Sequence, residues 1–268
     1  MPSWFETPPG RYLMAWEQAR FDEAVVNAFG FHALQLGMPA LAGLRANRMP
    51  HQWLAVDDAA LASATQGRRG GNGEEIMRPA LATSFTALPF VENSIDLVLL
   101  PHTLEFSADP HATLREVARV LVPEGRVVIC NFNPTSLWGM RQQRARLYCR
   151  LGVGTPYLPE AGQFIGHWRL RDWLRLLAFE VDSIQFGCYR PAVRSQPWLQ
   201  RWGWLDTLGS RWWPILGAAY CVAAVKRVQG VRLIGAAWKN APAIANAPVS
   251  VANRHVHRHG DHPQQENT

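Results

Sequence analysis

Four residues that could bind a ligand or take part in catalysis each follow an apolar run of the chain: Gly37, Asp57, Asp58 and His102. Residues 29–41 read FGFHALQLGMPAL, an apolar run that stops at Gly37 and then meets a proline. Asp57 and Asp58 follow a second run about twenty residues later, and His102 follows another. Gly37 fits an ordinary turn after a buried strand. It also fits a cofactor-binding loop that has lost its other glycines.

Asp57 and His102 each have a chemical and a structural interpretation. The spacing of Asp57 from Gly37 is that of an acid that binds ribose hydroxyls in nucleotide-binding α/β folds. The segment DDAALASA that begins with Asp57 fits a helix cap equally well. His102 comes just after an aliphatic run, at the expected carboxyl edge of a sheet, which is a suitable position for a general base. A hydrogen-bonded structural histidine is the commoner case. The residues alone leave these alternatives open.

The elements that must position these residues are clearest in the middle of the chain. SIDLVLL (94–100) is a continuous aliphatic run, typical of a parallel strand that is covered on both faces. DPHATLREVARVL (109–121) predicts a helix with Asp109 as N-cap and Pro110 at the first helical position. RVVICNF (126–132) predicts a second buried strand. Strand, helix and strand with short connections predict a right-handed βαβ unit.

The flanking segments extend this pattern into one domain. Periodicity predicts helices over 14–29 and 170–179, and strands over 31–36, 52–56, 180–189 and 218–228. Together they predict a doubly wound α/β fold with a mostly parallel sheet. The expected organisation is an irregular lead-in (1–13), a domain (14–234) with a Trp-rich insertion (191–216), and a disordered tail (235–268).

Composition restricts the expected partners and location. The 268 residues carry a formal net charge of +6, which allows a nucleic-acid partner without requiring one, so we do not expect one. The arginine cluster in RQQRARLYCR (141–150) is interpreted as a solvated helix face rather than a phosphate site. The longest apolar run, residues 214–225, is too short to span a bilayer. No secretory signal is visible, and we expect a cytoplasmic protein.

Neither the cysteines nor the histidines of the tail predict a metal site. The four cysteines are far apart and form no CxxC pair, which favours buried thiols in a reducing compartment. The tail contains four histidines but no cysteine or acidic cage, which favours a solvated segment. We therefore expect no bound metal.

Residues 88–129, LPFVENSIDLVLLPHTLEFSADPHATLREVARVLVPEGRVVI, resemble the class I S-adenosylmethionine-dependent methyltransferases, type 11 in particular. That family typically reads LPF-x-x-x-S-FD-x-V, then LEH, then a helix and RVLKPGGRLVI. The resemblance implies a Rossmann-like, doubly wound, mostly parallel seven-stranded sheet, the class I methyltransferase fold, with a reversed last hairpin. It also implies S-adenosylmethionine as cofactor. A weaker similarity extends over about residues 15–228.

The resemblance also assigns cofactor contacts, some of which depart from the family pattern. The family's first strand ends LDLGCGTG, and the matching residues 34–41 read LQLGMPAL. Gly37 is kept, Pro39 replaces a glycine, and Gln35 replaces the acid. In the family, loop amides and a helix N-terminus meet the methionine carboxylate of the cofactor. The further implied contacts are Asp57 on the ribose, Thr83 and Ser84 where the family has an adenine-contacting Asp, and Pro101 and His102 after the fourth strand.

On the acceptor side, the resemblance gives His102 the candidate role of base and Glu105 that of a structural acid. Asn131 and Asn133, after the fifth strand, are expected to line the acceptor side. We expect methyl transfer to a small-molecule acceptor, which is unidentified and apolar. The alternative is a non-catalytic relative that acts as a binding or scaffolding module, supported by the departures at Gln35, Pro39 and Thr83.

The segment SQPWLQRWGWLDTLGSRWWPIL (195–216) contains five of the twelve tryptophans of the chain. Helical spacing places Trp198, Trp202 and Leu205 on one face, which we expect to pack on the sheet. The alternatives are a lid over an apolar acceptor, or peripheral contact with a membrane surface. The residues expected to make that membrane contact are Trp198, Trp202, Trp212 and Trp213.

Overall fold

The computed structural model describes residues 2–57, 79–150, 152, 156–159 and 163–227. Its helices are α1 (Pro2–Phe5), α2 (Pro8–Val26), α3 (Thr103–Phe106), α4 (Pro110–Val120), α5 (Leu137–Arg150), α6 (His167–Leu176), α7 (Gln196–Arg201) and α8 (Trp204–Trp212). Its strands are β1 (His32–Leu36), β2 (His51–Val56), β3 (Leu81–Ala82), β4 (Ile95–Pro101), β5 (Leu121–Phe132), β6 (Phe179–Gly187) and β7 (Ala219–Lys226). A short 3₁₀ helix covers Pro214–Leu216.

The strands form one seven-stranded sheet in the order β3-β2-β1-β4-β5-β7-β6. Neighbouring strands from β3 to β5 pair in parallel, whereas β7 runs antiparallel to both β5 and β6. The five parallel strands therefore end at one edge of the sheet, which we call the carboxyl edge. This arrangement confirms the predicted α/β class, the mostly parallel sheet and the reversed last hairpin.

Apolar side chains cover both faces of the sheet. On one face, α4 and α6 pack against buried residues of β1, β4, β5 and β7. On the other face, α2 places Phe21 and Val25 against Val128 and Cys130 of β5. The aliphatic run of β4 contributes to both clusters, as expected for a parallel strand between two layers of helix. The predicted cap of α4 is confirmed, because the Asp109 carboxylate accepts from the Ala112 N–H at 2.9 Å.

The start of the chain differs from the prediction of an irregular lead-in over residues 1–13. Helix α2 begins at Pro8 rather than at residue 14, and it ends at Val26. The Thr7 side chain accepts from the Gly10 N–H, and Pro8 and Pro9 occupy the first helical positions. Prolines there initiate a helix because their missing N–H groups would have no helical partner. The prolines of this segment therefore belong to a helix start.

The Trp-rich segment does not pack as its periodicity suggests. In α7 the buried residue is Leu199, whereas the Trp198 side chain is exposed. The prediction that Trp198, Trp202 and Leu205 form a face packed on the sheet is therefore wrong for Trp198. The predicted tail 235–268 lies outside the described residues, as does Asp58. No helix in the described ranges is long and apolar enough to cross a bilayer.

Candidate cofactor site at the carboxyl edge

Three hydrogen bonds bring the ends of β1 to β4 together at the carboxyl edge. The Gly37 N–H donates to the Ala55 carbonyl of β2 at 2.7 Å. The Thr83 N–H donates to the Val56 carbonyl at 2.9 Å. The Thr103 hydroxyl, just beyond β4, donates to the Leu36 carbonyl. The predicted contacts Gly37, Asp57, Thr83 and Pro101 therefore lie at the ends of neighbouring strands.

Gly37 has a backbone conformation that favours glycine. Its φ is +80°, in the left-handed region, and the φ of Met38, which follows, is +48°. A Cβ built on Gly37 would lie 3.6 Å from the Thr103 hydroxyl and 3.7 Å from the Phe85 ring, which are ordinary contact distances. The requirement for glycine in this structure therefore comes from the backbone angle rather than from lack of space.

Gln35 holds the loop after β1 from the inside. Its side chain is completely buried, and Nε2 lies 2.8 Å from the Leu41 carbonyl, 3.1 Å from the Met38 carbonyl and 3.2 Å from the Gly37 carbonyl. Its Oε1 accepts from the Gly43 N–H at 3.0 Å. A carboxylate only accepts hydrogen bonds and could not serve these carbonyls, which explains an amide here. This geometry corrects the predicted cofactor contact, because the Gln35 side chain faces the loop.

The segment between β1 and β2 contains no helix. Residues 37–50 are all described, and they form turns at 39–40 and 43–46. Leu41 and Leu44 of this segment pack with Phe21 and Val25 of α2. The helix N-terminus that the resemblance implied for the methionine carboxylate is therefore not formed. Backbone amides of the loop are the groups left for that role.

The remaining predicted contacts have different surroundings. Asp57 is exposed directly after β2, and the Thr83 and Ser84 hydroxyls bond within their own turn. Thr83 donates to the Ala87 carbonyl at 3.2 Å, and Ser84 Oγ lies 2.8 Å from the Thr86 hydroxyl. Pro101 is buried at the end of β4. Asp57 is thus the exposed carboxyl group among the predicted side chains at this edge.

His102 lies in a buried cluster with two carboxylates. Its Nε2 is 2.7 Å from Glu17 Oε1, and its Nδ1 is 2.7 Å from Glu105 Oε2. All three side chains have no exposed surface. Glu105 also accepts from the Phe132 N–H of β5 at 2.8 Å, as expected for a structural acid. The cluster thus joins α2, the turn after β4 and the end of β5.

The electrostatics of this cluster keep His102 charged. Burial alone would lower its pKa, but the Glu17 and Glu105 carboxylates outweigh that effect and raise the pKa to about 10. Burial raises the pKa of Glu105 to about 7, although the histidine opposes the shift. A protonated, completely buried imidazole cannot accept a proton from an acceptor molecule. The structure therefore does not support the predicted role of His102 as a base.

Sequence reasoning missed Glu17, although a signal was present. Glu17 lies in one stripe of α2 with Leu13, Phe21 and Val25, which are all buried. An acid at a core position of a helix needs a charged or hydrogen-bonding partner, because an unpaired buried charge is costly. Here that partner is His102, 85 residues later in the chain. The interruption of the stripe was therefore the signal that could have located the cluster.

Asn131, which lies in β5, and Asn133, which follows that strand, have different surroundings. Asn133 is fully engaged, because its Nδ2 donates to the carbonyls of Ile215 and Gly217, and its Oδ1 accepts from Thr135. Asn131 is also buried, with its Nδ2 3.3 Å from the Tyr220 hydroxyl. Its Oδ1 has no hydrogen-bond partner in the described part of the chain. Asn133 thus has a structural role, and Asn131 retains one buried acceptor.

Comparison with known proteins supports the family suggested by the sequence. Residues 37–129 match the family model described as "Methyltransferase domain". The chain is 31% identical over 179 residues to the uncharacterized protein YafS of Escherichia coli, covering 66% of this chain and 65% of YafS. It is 41% identical over 58 residues to a demethylmenaquinone methyltransferase of Mycolicibacterium paratuberculosis, covering 22% of this chain and 25% of that protein. The chain thus spans less than two thirds of either relative.

Solved structures support the same fold. A crystal structure of an S-adenosylmethionine-dependent methyltransferase from Archaeoglobus fulgidus aligns with a TM-score of 0.52 at 16% identity. The alignment covers 80% of this chain and 94% of that one. Residues 37–129 are thus similar to a methyltransferase domain, and the chain has the fold of the class I S-adenosylmethionine-dependent methyltransferases.

Proposed function

We propose that the protein transfers a methyl group from S-adenosylmethionine to an apolar small-molecule acceptor. The observation that carries the proposal is the position of Gly37 and Asp57 at the carboxyl edge. Gly37, with its φ of +80°, and the exposed Asp57 follow neighbouring parallel strands that are paired in register. Ligands of open α/β sheets bind outside the carboxyl ends of the strands, which supports a nucleoside site at these residues.

The residues present fit the nucleoside half of the cofactor better than its methionine half. Asp57 can accept hydrogen bonds from the ribose hydroxyls, and the Phe85 ring beside Gly37 offers a surface for the adenine. At the methionine half, Gln35 is turned away and the loop forms no helix. Backbone amides of the loop after Gly37 are the groups that remain for the carboxylate.

The reaction needs positioning more than acid–base chemistry. The cofactor supplies an electrophilic methyl group on a positively charged sulfur, so the chain has to orient the acceptor and exclude water. We assign His102 and Glu105 to positioning, because they tie the end of β4 to the Phe132 amide of β5. One relative is named a demethylmenaquinone methyltransferase, and that substrate supports an apolar acceptor for this chain.

Calorimetry with S-adenosylmethionine and S-adenosylhomocysteine tests the proposal. We expect Gly37→Val to abolish the binding heat, because a side chain would occupy the ligand's space and oppose the positive φ. Gly152→Val is the matched control. Gly152 has a φ of +77°, and a Cβ there meets nothing within 4 Å, so this variant carries similar backbone strain at an open position. It should bind like the parent.

Asp57→Ala should weaken binding about 10- to 100-fold, since a hydrogen bond to a charged group contributes about 1.5–3 kcal/mol. Its thermal unfolding should stay close to that of the parent, because Asp57 is exposed. Absence of heat from the parent at millimolar ligand would refute the enzymatic proposal and leave the scaffolding alternative. Parent-like binding by both Gly37→Val and Asp57→Ala would show that the assigned site is wrong.

A further inference from the structure

Helix α8 is attached to the domain by its polar side. The Asp206 carboxylate accepts from the Tyr189 N–H at 3.1 Å, from the Tyr12 hydroxyl, and from Arg190 Nε at 2.8 Å. One turn later, Gly209 lies so close to Tyr189 that an added Cβ would be 2.3 Å from its ring. These contacts on one side of the helix fix its rotation. The opposite side therefore faces outward.

That outward side is apolar and aromatic. Trp204, Leu208 and Trp212 follow one another at four-residue intervals and so share one face of α8. The apolar surface continues past the helix end into the 3₁₀ turn. We call the whole set the Trp surface; its members and exposed fractions are Trp204 (51%), Leu208 (40%), Trp212 (67%), Trp213 (54%), Ile215 (47%) and Leu216 (42%). A contiguous apolar set of this kind usually marks an interaction site.

The polar groups of this surface indicate what it contacts. No described residue accepts a hydrogen bond from the indole N–H of Trp204, Trp212 or Trp213, whereas the more buried Trp4 and Trp138 donate to the carbonyls of Tyr157 and Arg190. Arg201 and Arg211 flank the Trp surface. The only acid of residues 195–217 is Asp206, which is paired with Arg190 on the inner side. The outward side thus combines indole N–H donors and cations without an exposed acid.

We propose that the Trp surface docks the protein on an anionic lipid bilayer. Tryptophan is favoured at the membrane interface because its ring is apolar and its N–H bonds to headgroups, and arginine is attracted to anionic lipids. Trp212 and Trp213 belong to this surface, whereas Trp202 is only partly exposed and lies outside it. The proposal concerns adsorption to the interface and does not depend on methyl transfer.

The Trp surface is joined to the carboxyl edge of the sheet. Asn133, directly after β5, donates to the Ile215 carbonyl at 2.6 Å and to the Gly217 carbonyl at 2.9 Å. The bilayer-facing turn is therefore held by hydrogen bonds at the same edge that carries Gly37 and Asp57. Docking would bring that edge near a source of apolar molecules.

Co-sedimentation of the full chain with lipid vesicles tests the docking. We expect binding to phosphatidylcholine vesicles that contain phosphatidylglycerol, weakened by salt and by omission of the anionic lipid. Trp204→Gln/Leu208→Gln/Trp212→Gln should lower the partition coefficient at least about tenfold, since it removes the three apolar side chains that α8 contributes. Arg201→Gln/Arg211→Gln should lower it about fivefold per arginine and remove the dependence on anionic lipid.

The matched control replaces exposed apolar residues elsewhere. Trp168→Gln/Leu176→Gln changes two exposed side chains of α6, and it should bind vesicles like the parent. Equal binding by the triple variant and the parent, or no binding by the parent to any vesicle, would overturn the proposal. Sedimentation velocity tests the other possible occupant of the Trp surface, a second copy of the chain. Self-association of the parent that the triple variant loses, without vesicle binding, would assign the Trp surface to a second copy of the chain.

Discussion

The buried Glu17–His102–Glu105 cluster makes stability depend on pH in a direction that the structure fixes. The folded-state pKa of His102 is about 10, above its ordinary value of 6.5. The protonated histidine therefore stabilises the fold fully below pH 6.5, and this contribution is lost as pH rises through 10. Between about pH 7.5 and about pH 9.5 the unfolding free energy should fall by about 1.4 kcal/mol per pH unit, or about 3 kcal/mol over that range.

Glu105 acts in the same direction but at lower pH. Its folded-state pKa is raised from 4.5 to about 7. A carboxyl group with a raised pKa favours the folded state below its ordinary pKa, and that stabilisation is lost as pH rises through 7. The loss is largely complete before the range in which His102 titrates. The slope above that pH therefore reports His102.

Urea unfolding followed by circular dichroism at constant ionic strength measures this slope. The control is Glu17→Gln/His102→Asn/Glu105→Gln, which removes the three charges. Asparagine tolerates the left-handed φ of +53° at position 102. Both proteins keep the same cysteines and tyrosines, so the difference between their slopes isolates the cluster. Parallel slopes in the two proteins would refute the charged-histidine cluster.

Two further predictions concern single side chains. Gln35→Glu should lower the unfolding free energy by roughly 2–3 kcal/mol, because a buried carboxylate leaves the loop carbonyls without a donor. Gln52→Glu should lower the unfolding free energy by less than Gln35→Glu in thermal unfolding, because Gln52 is only partly buried. An equal loss in the two variants would contradict the assigned role of Gln35. Asp109→Ala should cost about 1 kcal/mol through loss of the α4 cap, whereas Asp109→Asn should nearly retain stability.

Hydrophobic patterning predicted the central strands well because they are buried on both faces. Continuous aliphatic runs such as β4 and β5 have few interpretations other than a buried strand. The cap of α4 depends only on adjacent residues. The reversed hairpin followed from the family resemblance. The same local reasoning misplaced the start of α2, because prolines mark both loops and first helical turns.

The candidate site was predicted less completely because its determinants are contacts distant in sequence. Gly37 and Asp57 lie at the expected edge, but the inward turn of Gln35 depends on carbonyls that only the folded loop presents. The burial of His102 depends on Glu17, which is on another element. Helical spacing also shows which residues of α8 share a face, but not that Asp206 fixes which face points outward.

The amide of Gln35 limits how this loop can change during evolution. A single substitution to the acid typical of the family would place a negative charge against three carbonyl oxygens that now accept from the Gln35 amide. The loop would first have to change its path, and with it the packing of Leu41 and Leu44 under α2. We therefore expect residues 35–44 to be substituted together, rather than one at a time, in sequences that descend from this one.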